Sequence, residues 1–412
     1  MPTRRVFLKD SALAMFGVGA APAWLARAAF AKDAPGARKK ILIAIFQRGA
    51  VDGLNVVVPH ADPAYYALRP SLAIPRPNGS DASAIDLDGH FGLHPALTAL
   101  KPLWDTKQMA IVEAAGSPDP SRSHFDAQDY MESGTPGIKA TTDGWLNRAI
   151  PAEPQPSPLR AVALSADLPR SLRGRNKALA IGSLNDFQVR DRSAASTFEN
   201  MYAASPDLVL NGTARETFEA MRIVESIRKA PYTPAGGVRY PNGRLGQNLE
   251  QIARMIRANV GLEVAFTDVG GWDTHVNEIG AQPHLGQLSN LLGNFGDSLA
   301  AFLRDMGDRM ADISIVTMSE FGRTAKENGN RGTDHGHANV MFVLGGSVRG
   351  GKMYGEWPGL EPEHLHEGRD LKVTTDFRTV LSELVSKQMG NQNIAGVFPG
   401  FDDTVWRNVI AG

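Results

Sequence analysis

The sequence predicts an α/β protein whose central sheet is open, mostly parallel and covered by helices on both faces. The first observation behind this prediction is that short runs of consecutive apolar residues, typical of strands buried on both faces, alternate with helix-like segments. The second is the length, because 412 residues can form one large domain, and 42% hydrophobic with 21% charged residues is ordinary for a globular protein. The third is the absence of cysteine, which excludes disulfides and leaves stability to an apolar core.

Residues 1–31 carry the features of an export signal. The segment TRRVFLK at residues 3–9 is a twin-arginine motif, a moderately apolar stretch follows at residues 11–25, and Ala29-Phe30-Ala31 offers a cleavage site. The alternative is a membrane-anchoring helix, but about 15 apolar residues are short for a bilayer span. We therefore expect a twin-arginine signal peptide, export by the twin-arginine translocase to the periplasm or the medium, and a mature domain over residues 32–412 without a stable membrane span.

The predicted elements alternate along the mature chain. Apolar runs predict strands at residues 41–46, 109–114, 160–164, 177–181, 262–266, 313–318 and 340–344. Apolar residues at helical spacing, or a capping residue, predict helices near residues 93–104, 123–131, 245–256, 285–303 and 376–389. Residues 59–93 are rich in Pro, Asp, Gly and Ser, which indicates an excursion from the core. The polar, mixed stretch at residues 183–243 predicts an inserted cap.

Two loops in the amino-terminal half place polar groups after predicted strands. Asp52 lies between two glycines after the first strand, a position that suits either a ligand-binding turn or a plain turn. Ser121 and Ser123 lie in a proline-containing loop after the second strand, beside His124. Their hydroxyls and the neighbouring N–H groups suit an anion. The alternative, that the serines only cap the next helix, fits the pattern equally well.

The carboxyl-terminal half adds carboxylates and histidines at the ends of further strands. Because the carboxyl ends of parallel strands meet at one edge of a sheet, we expect these side chains to lie close together and near Asp52. Carboxylate and imidazole groups suit a divalent cation, and we expect zinc, manganese or calcium. The predicted metal ligands are Asp52, Asp273, His275, Glu320, Asp334, His335 and His337.

Several segments of the chain resemble a known family. They are FQRGAVDGLNVVVP, GSPDPSRSHFDAQDYMESG, GGWDTH, SEFGRT and GTDHGHANVMFVLGG, and with the twin-arginine leader they are similar to the DUF1501 family. That family is placed by fold with the alkaline phosphatase and sulfatase superfamily. The resemblance covers nearly the whole mature chain and implies an alkaline phosphatase-like fold with a divalent metal site, often binuclear.

The resemblance also assigns roles by position. Asp52 matches the Asp after the first strand, and Ser121 or Ser123 matches the nucleophile at a helix start. Asp273 and His275 match a later Asp/His pair, with one intervening residue where the superfamily commonly has three. The main departure is Glu320-Phe321, where the superfamily usually has Asp-His. Either Asp334 and His335 replace that pair, or the site holds fewer metals.

The expected function is that of an exported, metal-dependent hydrolase of phosphate or sulfate esters, acting on an anionic small molecule or glycan. Catalysis would use Ser121 or Ser123 with His124, and Arg122, Arg48 or Arg323 would hold the anion. A net charge of −1 without a long basic run argues against nucleic acid as a partner. The alternatives are a non-catalytic, degenerate member that binds a ligand or a protein partner, and polar loops that only cap the sheet.

Overall fold

A computed structural model describes residues 38–154, 156–188, 201, 208–402 and 405–411. The predicted twin-arginine signal, residues 1–31, lies outside these ranges. Within them, no helix combines the length and the apolar character that a bilayer span requires.

Most strands belong to one large sheet, and three short ones form a small antiparallel sheet beside it. In chain order they are β1 (Ile41–Gln47), β2 (Val57–Val58), β3 (Ile85–Asp86), β4 (Gly92–Leu93), β5 (Met109–Gly116), β6 (Ala161–Ala163), β7 (Leu179–Ala180), β8 (Val264–Val269), β9 (Ile313–Met318), β10 (Asn339–Gly345), β11 (Lys352–Tyr354) and β12 (Thr375–Asp376). The large sheet has the order β11-β5-β10-β9-β1-β8-β6-β7, with β12 also paired to β5. The order β2-β4-β3 makes up the small sheet.

All strands of the large sheet run in one direction except β10, which is antiparallel to both of its neighbours. The mixed, mostly parallel sheet predicted from the sequence is therefore confirmed. The antiparallel direction of β10 was not predicted. Because of this direction, β10 begins, rather than ends, at the edge where β1, β8 and β9 end.

Helices connect the strands and cover the sheet. The α-helices are α1 (Gly53–Val56), α2 (Pro63–Leu68), α3 (Lys101–Asp105), α4 (His124–Ser133), α5 (Trp145–Ala149), α6 (Leu208–Lys229), α7 (Arg244–Arg257), α8 (Gln287–Met306), α9 (Phe377–Lys387) and α10 (Ile394–Val397). Short 3-10 helices span Pro95–Leu100, Arg170–Leu172, Ala235–Gly237, Gly307–Asp312 and Pro362–His364. In the stretch expected to form a cap, α6 packs on the core through the buried side chains of Ala220, Val224 and Ile227.

The two faces of the sheet carry separate apolar layers. Alternate residues of β1 point to opposite faces, with Ile43 in one layer and Ala44 in the other. Helices α7 and α8 cover the first layer, whereas α5 and α9 cover the second. Each large apolar side chain buried in this way contributes about 1.5–3 kcal/mol. This two-sided burial explains why β1 is a continuous apolar run, and it makes the central strands a rigid support for the loops at their ends.

Glycines let these loops cross at close range. A Cβ atom on Gly322 would overlap the carbonyl oxygen of Ala338, and one on Gly336 would overlap the backbone of Arg323. The segment after β9 and the segment before β10 therefore lie backbone against backbone, which no other residue type at these positions permits.

We expect Gly322→Ala to lower the free energy of unfolding by about 1–3 kcal/mol, because the new methyl group forces two backbone segments apart. Gly329→Ala is the matched control, since nothing lies within 4 Å of a Cβ there, and it should change the free energy by less than about 0.5 kcal/mol. Urea unfolding followed by circular dichroism measures both values. Equal stability of the two variants would contradict the close crossing.

Candidate metal centre

The candidate centre lies where β1, β8 and β9 end and β10 begins. Backbone hydrogen bonds hold the segments after β9 and before β10 side by side: the Thr324 N–H donates to Asp334 O (2.9 Å) and the Gly322 N–H donates to His337 O (2.8 Å). Because β10 is antiparallel, the chain returns to this edge before entering the strand. Residues 334–337 therefore lie beside the loops that follow β1 and β8.

Three histidines direct one nitrogen each at the carboxylate of Asp273. His124 Nε2 lies 3.4 Å from Asp273 Oδ2, while His275 Nε2 and His335 Nε2 lie 3.1 and 3.3 Å from Oδ1. The Nε2 atoms of His275 and His335 are 2.9 Å apart. The ligand atoms of His124, Asp273 and His335 all lie within 4.8 Å of one another. Four residues from three separate segments of the chain thus form one cluster.

The other nitrogen of each ring is held by an oxygen. His124 Nδ1 lies 2.8 Å from Glu320 Oε1, His275 Nδ1 lies 3.1 Å from Asp334 Oδ1, and His335 Nδ1 lies 2.8 Å from the carbonyl oxygen of Arg122. A carbonyl or an ionised carboxylate only accepts hydrogen bonds, so Nδ1 carries the proton in each neutral ring. Each Nε2 then keeps its lone pair. Metal-binding histidines are oriented by this kind of outer hydrogen bond.

The donor set fits a divalent ion. The three Nε2 atoms lie 3.1–3.4 Å from the Asp273 carboxylate, and those of His275 and His335 lie 2.9 Å apart. Lone pairs and a carboxylate this close repel unless a cation or extra protons lie between them. Ligands at about 2.0–2.1 Å from a tetrahedral zinc ion are about 3.3 Å apart, which matches these separations. His124 Nε2 is buried, and among the described residues it has no hydrogen-bond partner. Three imidazoles favour zinc or a similar transition metal over calcium, which takes oxygen ligands.

The surroundings of the cluster favour the protonation states that metal binding needs at Asp273 and His335, whereas they favour the protonated form of His124. Burial alone would raise the pKa of Asp273, but the hydrogen bond and charge of Arg323 bring this pKa below its ordinary value. Burial lowers the pKa of His335, against the hydrogen bond to the Arg122 carbonyl. The hydrogen bond to Glu320 raises the pKa of His124 against the effect of burial. Asp273 is therefore ionised, and His335 is held in its neutral form.

Glu320, a predicted ligand, lies behind His124. Its Oε1 accepts from three donors: His124 Nδ1 (2.8 Å), the Gly49 N–H (2.8 Å) and Gln128 Nε2 (2.9 Å). Burial would raise the pKa of Glu320, but these donors, His124 first among them, lower it below its ordinary value. The carboxylate thus orients a histidine. Asp334 does the same for His275.

Two other predicted ligands have their contacts elsewhere. Both oxygens of the buried Asp52 accept from the guanidinium of Arg69. His337 Nε2 donates to Ser117 O (3.0 Å), and its ring lies against that of His366. The structure brings neither residue to the cluster around Asp273.

The predicted serines flank the residue that holds His335. Ser123 caps α4 by accepting from the Asp126 N–H (3.5 Å), and Ser121 Oγ accepts from the Ser123 N–H (3.3 Å). Both lie next to Arg122, whose carbonyl oxygen accepts from His335. The capping interpretation therefore holds for Ser123, which immediately precedes His124 in the chain.

The three arginines expected to hold an anion bind other protein groups. Arg48 donates to Asp268, Gln128 and Glu132, and Arg122 donates to Asp370 and Glu367. Arg323 is fully buried and donates to Asp273 and to four backbone carbonyls.

Arg369 is a candidate that sequence reasoning missed. Its Nη2 donates to His335 O (3.0 Å), and its side chain is 43% exposed. It lies in a charged loop, HEGRD at residues 366–370, that follows no strand of the large sheet directly. No sequence pattern therefore linked it to the site.

The family model described as "Protein of unknown function (DUF1501)" matches residues 104–397, more than half of the chain. No curated protein matches the chain in sequence.

Several solved structures resemble the chain at low identity. A protein of the alkaline phosphatase superfamily from Vibrio parahaemolyticus is 9% identical, with a TM-score of 0.34, over 77% of this chain and 62% of that one. The lipoteichoic acid synthase LtaP from Listeria monocytogenes is 10% identical, with a TM-score of 0.34, over 87% and 73%. The sulfatase PsFucS1 from Pseudoalteromonas sp. is 14% identical, with a TM-score of 0.33, over 77% and 65%. The chain thus spans less than two thirds of the first and third of these proteins, and similarity this low carries no argument about activity.

Proposed function

Because the chain belongs to the DUF1501 family, whose description assigns no function, we propose its function from the geometry of its own residues. We propose that it is an exported, metal-dependent hydrolase of phosphate or sulfate esters. One observation carries the proposal: three histidines, each with Nδ1 held by an oxygen, direct Nε2 at the carboxylate of Asp273.

The residues that would hold the ion are His124, Asp273, His275 and His335. A divalent ion bound there would polarise an ester oxygen and lower the pKa of a water or hydroxyl nucleophile. We propose a single ion, because Asp52 and Glu320, which could have served a second one, are bound to Arg69 and His124. Among the described residues, one group of three or more suitable side chains has the required geometry, and it consists of His124, Asp273 and His335. His275 is the fourth candidate, since its Nε2 lies 3.1 Å from Asp273 Oδ1.

The surrounding residues prepare the site before any substrate arrives. Glu320, Asp334 and the Arg122 carbonyl fix the three rings, so that little reorientation is needed when an ion or substrate binds. The hydroxyl of Ser123 is the candidate nucleophile next to His124, with Ser121 as the second choice and a water molecule as the third. Arg369 is the arginine best placed to meet an anionic ester, since it is exposed beside His335.

Export is part of the proposal. The motif at residues 3–9 and the cleavage site at residues 29–31 support transport by the twin-arginine translocase to the periplasm or the medium. Histidine and carboxylate ligands suit such a compartment, since they do not oxidise as thiolates do.

A second candidate function is that of a binding protein without catalysis. The observation that favours it is the commitment of Arg48, Arg122 and Arg323 to protein partners. Arg369, which is more exposed, lies 3.7 Å from Asp370 Oδ1 and donates to the carbonyl oxygen of His335. Metal binding without turnover of phosphate or sulfate esters would support this candidate.

The first prediction concerns the metal. After loading with Zn²⁺ and dialysis, we expect about one equivalent of zinc per chain, because His124, Asp273 and His335 converge on one position, with His275 Nε2 beside them. His335→Ala removes a central donor and should reduce retained zinc to a small fraction. His364→Ala is the control, since that histidine is exposed. Elemental analysis measures the content, and zinc retained by the His335 variant at the wild-type level would refute the assignment.

The second prediction concerns the anion. With p-nitrophenyl phosphate and p-nitrophenyl sulfate as substrates, we expect Arg369→Ala to raise KM about tenfold, because one charge-assisted hydrogen bond is lost. Zinc content should stay unchanged, since Arg369 is not a ligand. Arg76→Ala, at an exposed position, should leave KM as in the wild type. An unchanged KM in the Arg369 variant would exclude its role in binding the anion.

A further inference from the structure

A buried acid, Glu278, lies under the metal centre without belonging to it. Its side chain is completely inaccessible to solvent. Its Oε2 accepts from the hydroxyl of Thr274 at 2.9 Å and from that of Thr333 at 3.0 Å. Both threonines are buried as well. A single oxygen atom therefore joins two hydroxyls from different parts of the chain.

These two threonines belong to the two segments that carry the histidines. Thr274 stands between Asp273 and His275, and Thr333 stands two residues before His335. A backbone hydrogen bond from the Thr333 N–H to Thr274 O (3.2 Å) runs beside the side-chain contacts. The separation of the two segments fixes the 2.9 Å distance between His275 Nε2 and His335 Nε2. Glu278 is thus placed to control that distance.

The other side of Glu278 faces a buried ion pair. Burial and the charge of Asp52 raise the pKa of Glu278 well above its ordinary value, so the acid is neutral. Asp52 accepts from Arg69 with both carboxylate oxygens, whereas Glu278 Oε1 has no hydrogen-bond partner among the described residues. Arg69 in turn donates to the carbonyl oxygens of Thr324 and Ala325 (2.9 Å each) in the segment after β9.

We propose that Glu278 is a positioning residue of the metal centre, which sets the separation of the two ligand segments through Thr274 and Thr333. This inference rests on the proposed function, because the ligand segments are those of the proposed metal site. It assigns a role to a side chain that touches neither ion nor substrate. An apolar residue would fill the same volume but would leave two buried hydroxyls without an acceptor. The two segments would then lose the oxygen atom to which both are hydrogen-bonded.

Two substitutions separate the hydrogen bonds from simple packing. Glu278→Gln retains a carbonyl acceptor for both threonines in an uncharged side chain of the same length, so it matches the neutral acid. Glu278→Leu retains bulk but removes the acceptor. Thr333→Val removes one of the two hydrogen bonds, leaves Glu278 in place, and serves if the leucine variant does not fold.

The affinity for Co²⁺, measured by competition with a chelator, is the first readout. We expect Glu278→Leu to weaken it about 10- to 100-fold, as for other residues that orient metal ligands, and Thr333→Val to weaken it less. The visible absorption bands of bound Co²⁺ should shift in both variants, whereas Glu278→Gln should keep the wild-type affinity and spectrum. Wild-type affinity in the leucine variant, or an equal loss in the glutamine variant, would overturn the inference.

Amide hydrogen exchange of the metal-free protein is the second readout, and it does not depend on the proposed function. We expect faster exchange of the Thr333 N–H in Glu278→Leu than in Glu278→Gln. If the wild-type protein binds no Co²⁺, the proposed metal site fails, yet this exchange still reports on the two segments. Unchanged exchange in Glu278→Leu would show that Glu278 does not hold them together.

Discussion

The guanidinium group of Arg323 is the interaction on which the arrangement of the site depends. It donates to the carbonyl oxygens of Gly49 and Ala50 after β1, of Trp272 after β8 and of Thr333 before β10, and also to the carboxylate of Asp273. A guanidinium has donors in a fixed planar fork, so it holds these loops in one relative position. Burying such a charge is costly unless every donor has a partner. Arg323 therefore fixes the positions of the loops after β1 and β8 and of the segment before β10 relative to one another.

The charge of Arg323 also shapes the electrostatics of the centre. Three carboxylates contact the histidines, namely those of Asp273, Glu320 and Asp334, whereas Arg323 supplies one buried positive charge. With neutral imidazoles these four groups sum to two negative charges, which a divalent cation would balance. Without such a cation, protons on the imidazoles are the alternative, and the Nε2 pair of His275 and His335 at 2.9 Å is where one proton would be shared. A bound cation and added protons would each relieve the repulsion between these groups. The availability of a cation therefore decides which of the two states forms.

The sequence was sufficient to predict most strands and the family, but it did not predict which side chains contact each other. The apolar runs predicted β1, β9 and most other strands, because a strand that is buried on both faces consists of consecutive apolar residues. The DUF1501 membership and the mostly parallel sheet are confirmed. Nothing in the sequence indicated that β10 is antiparallel, since a buried antiparallel strand has the same apolar run. The pairing of Asp52 with Arg69 was equally invisible, because it depends on how the excursion after β2 folds back onto the edge of the sheet.

The pair Glu320-Phe321 explains how one centre can replace the pattern that the superfamily resemblance implied. Glu320 binds Nδ1 of His124 where an Asp ligand was expected. The ring of Phe321 stacks on His124 at 5.0 Å between centroids and lies 4.9 Å from the ring of His335, where a His ligand was expected. Neither residue belongs to the donors around Asp273, yet each holds the orientation of a histidine of that cluster, one by a hydrogen bond and one by packing. The two positions that the resemblance assigned to metal ligands thus support the histidines around Asp273, which is the basis for proposing one ion there and not two.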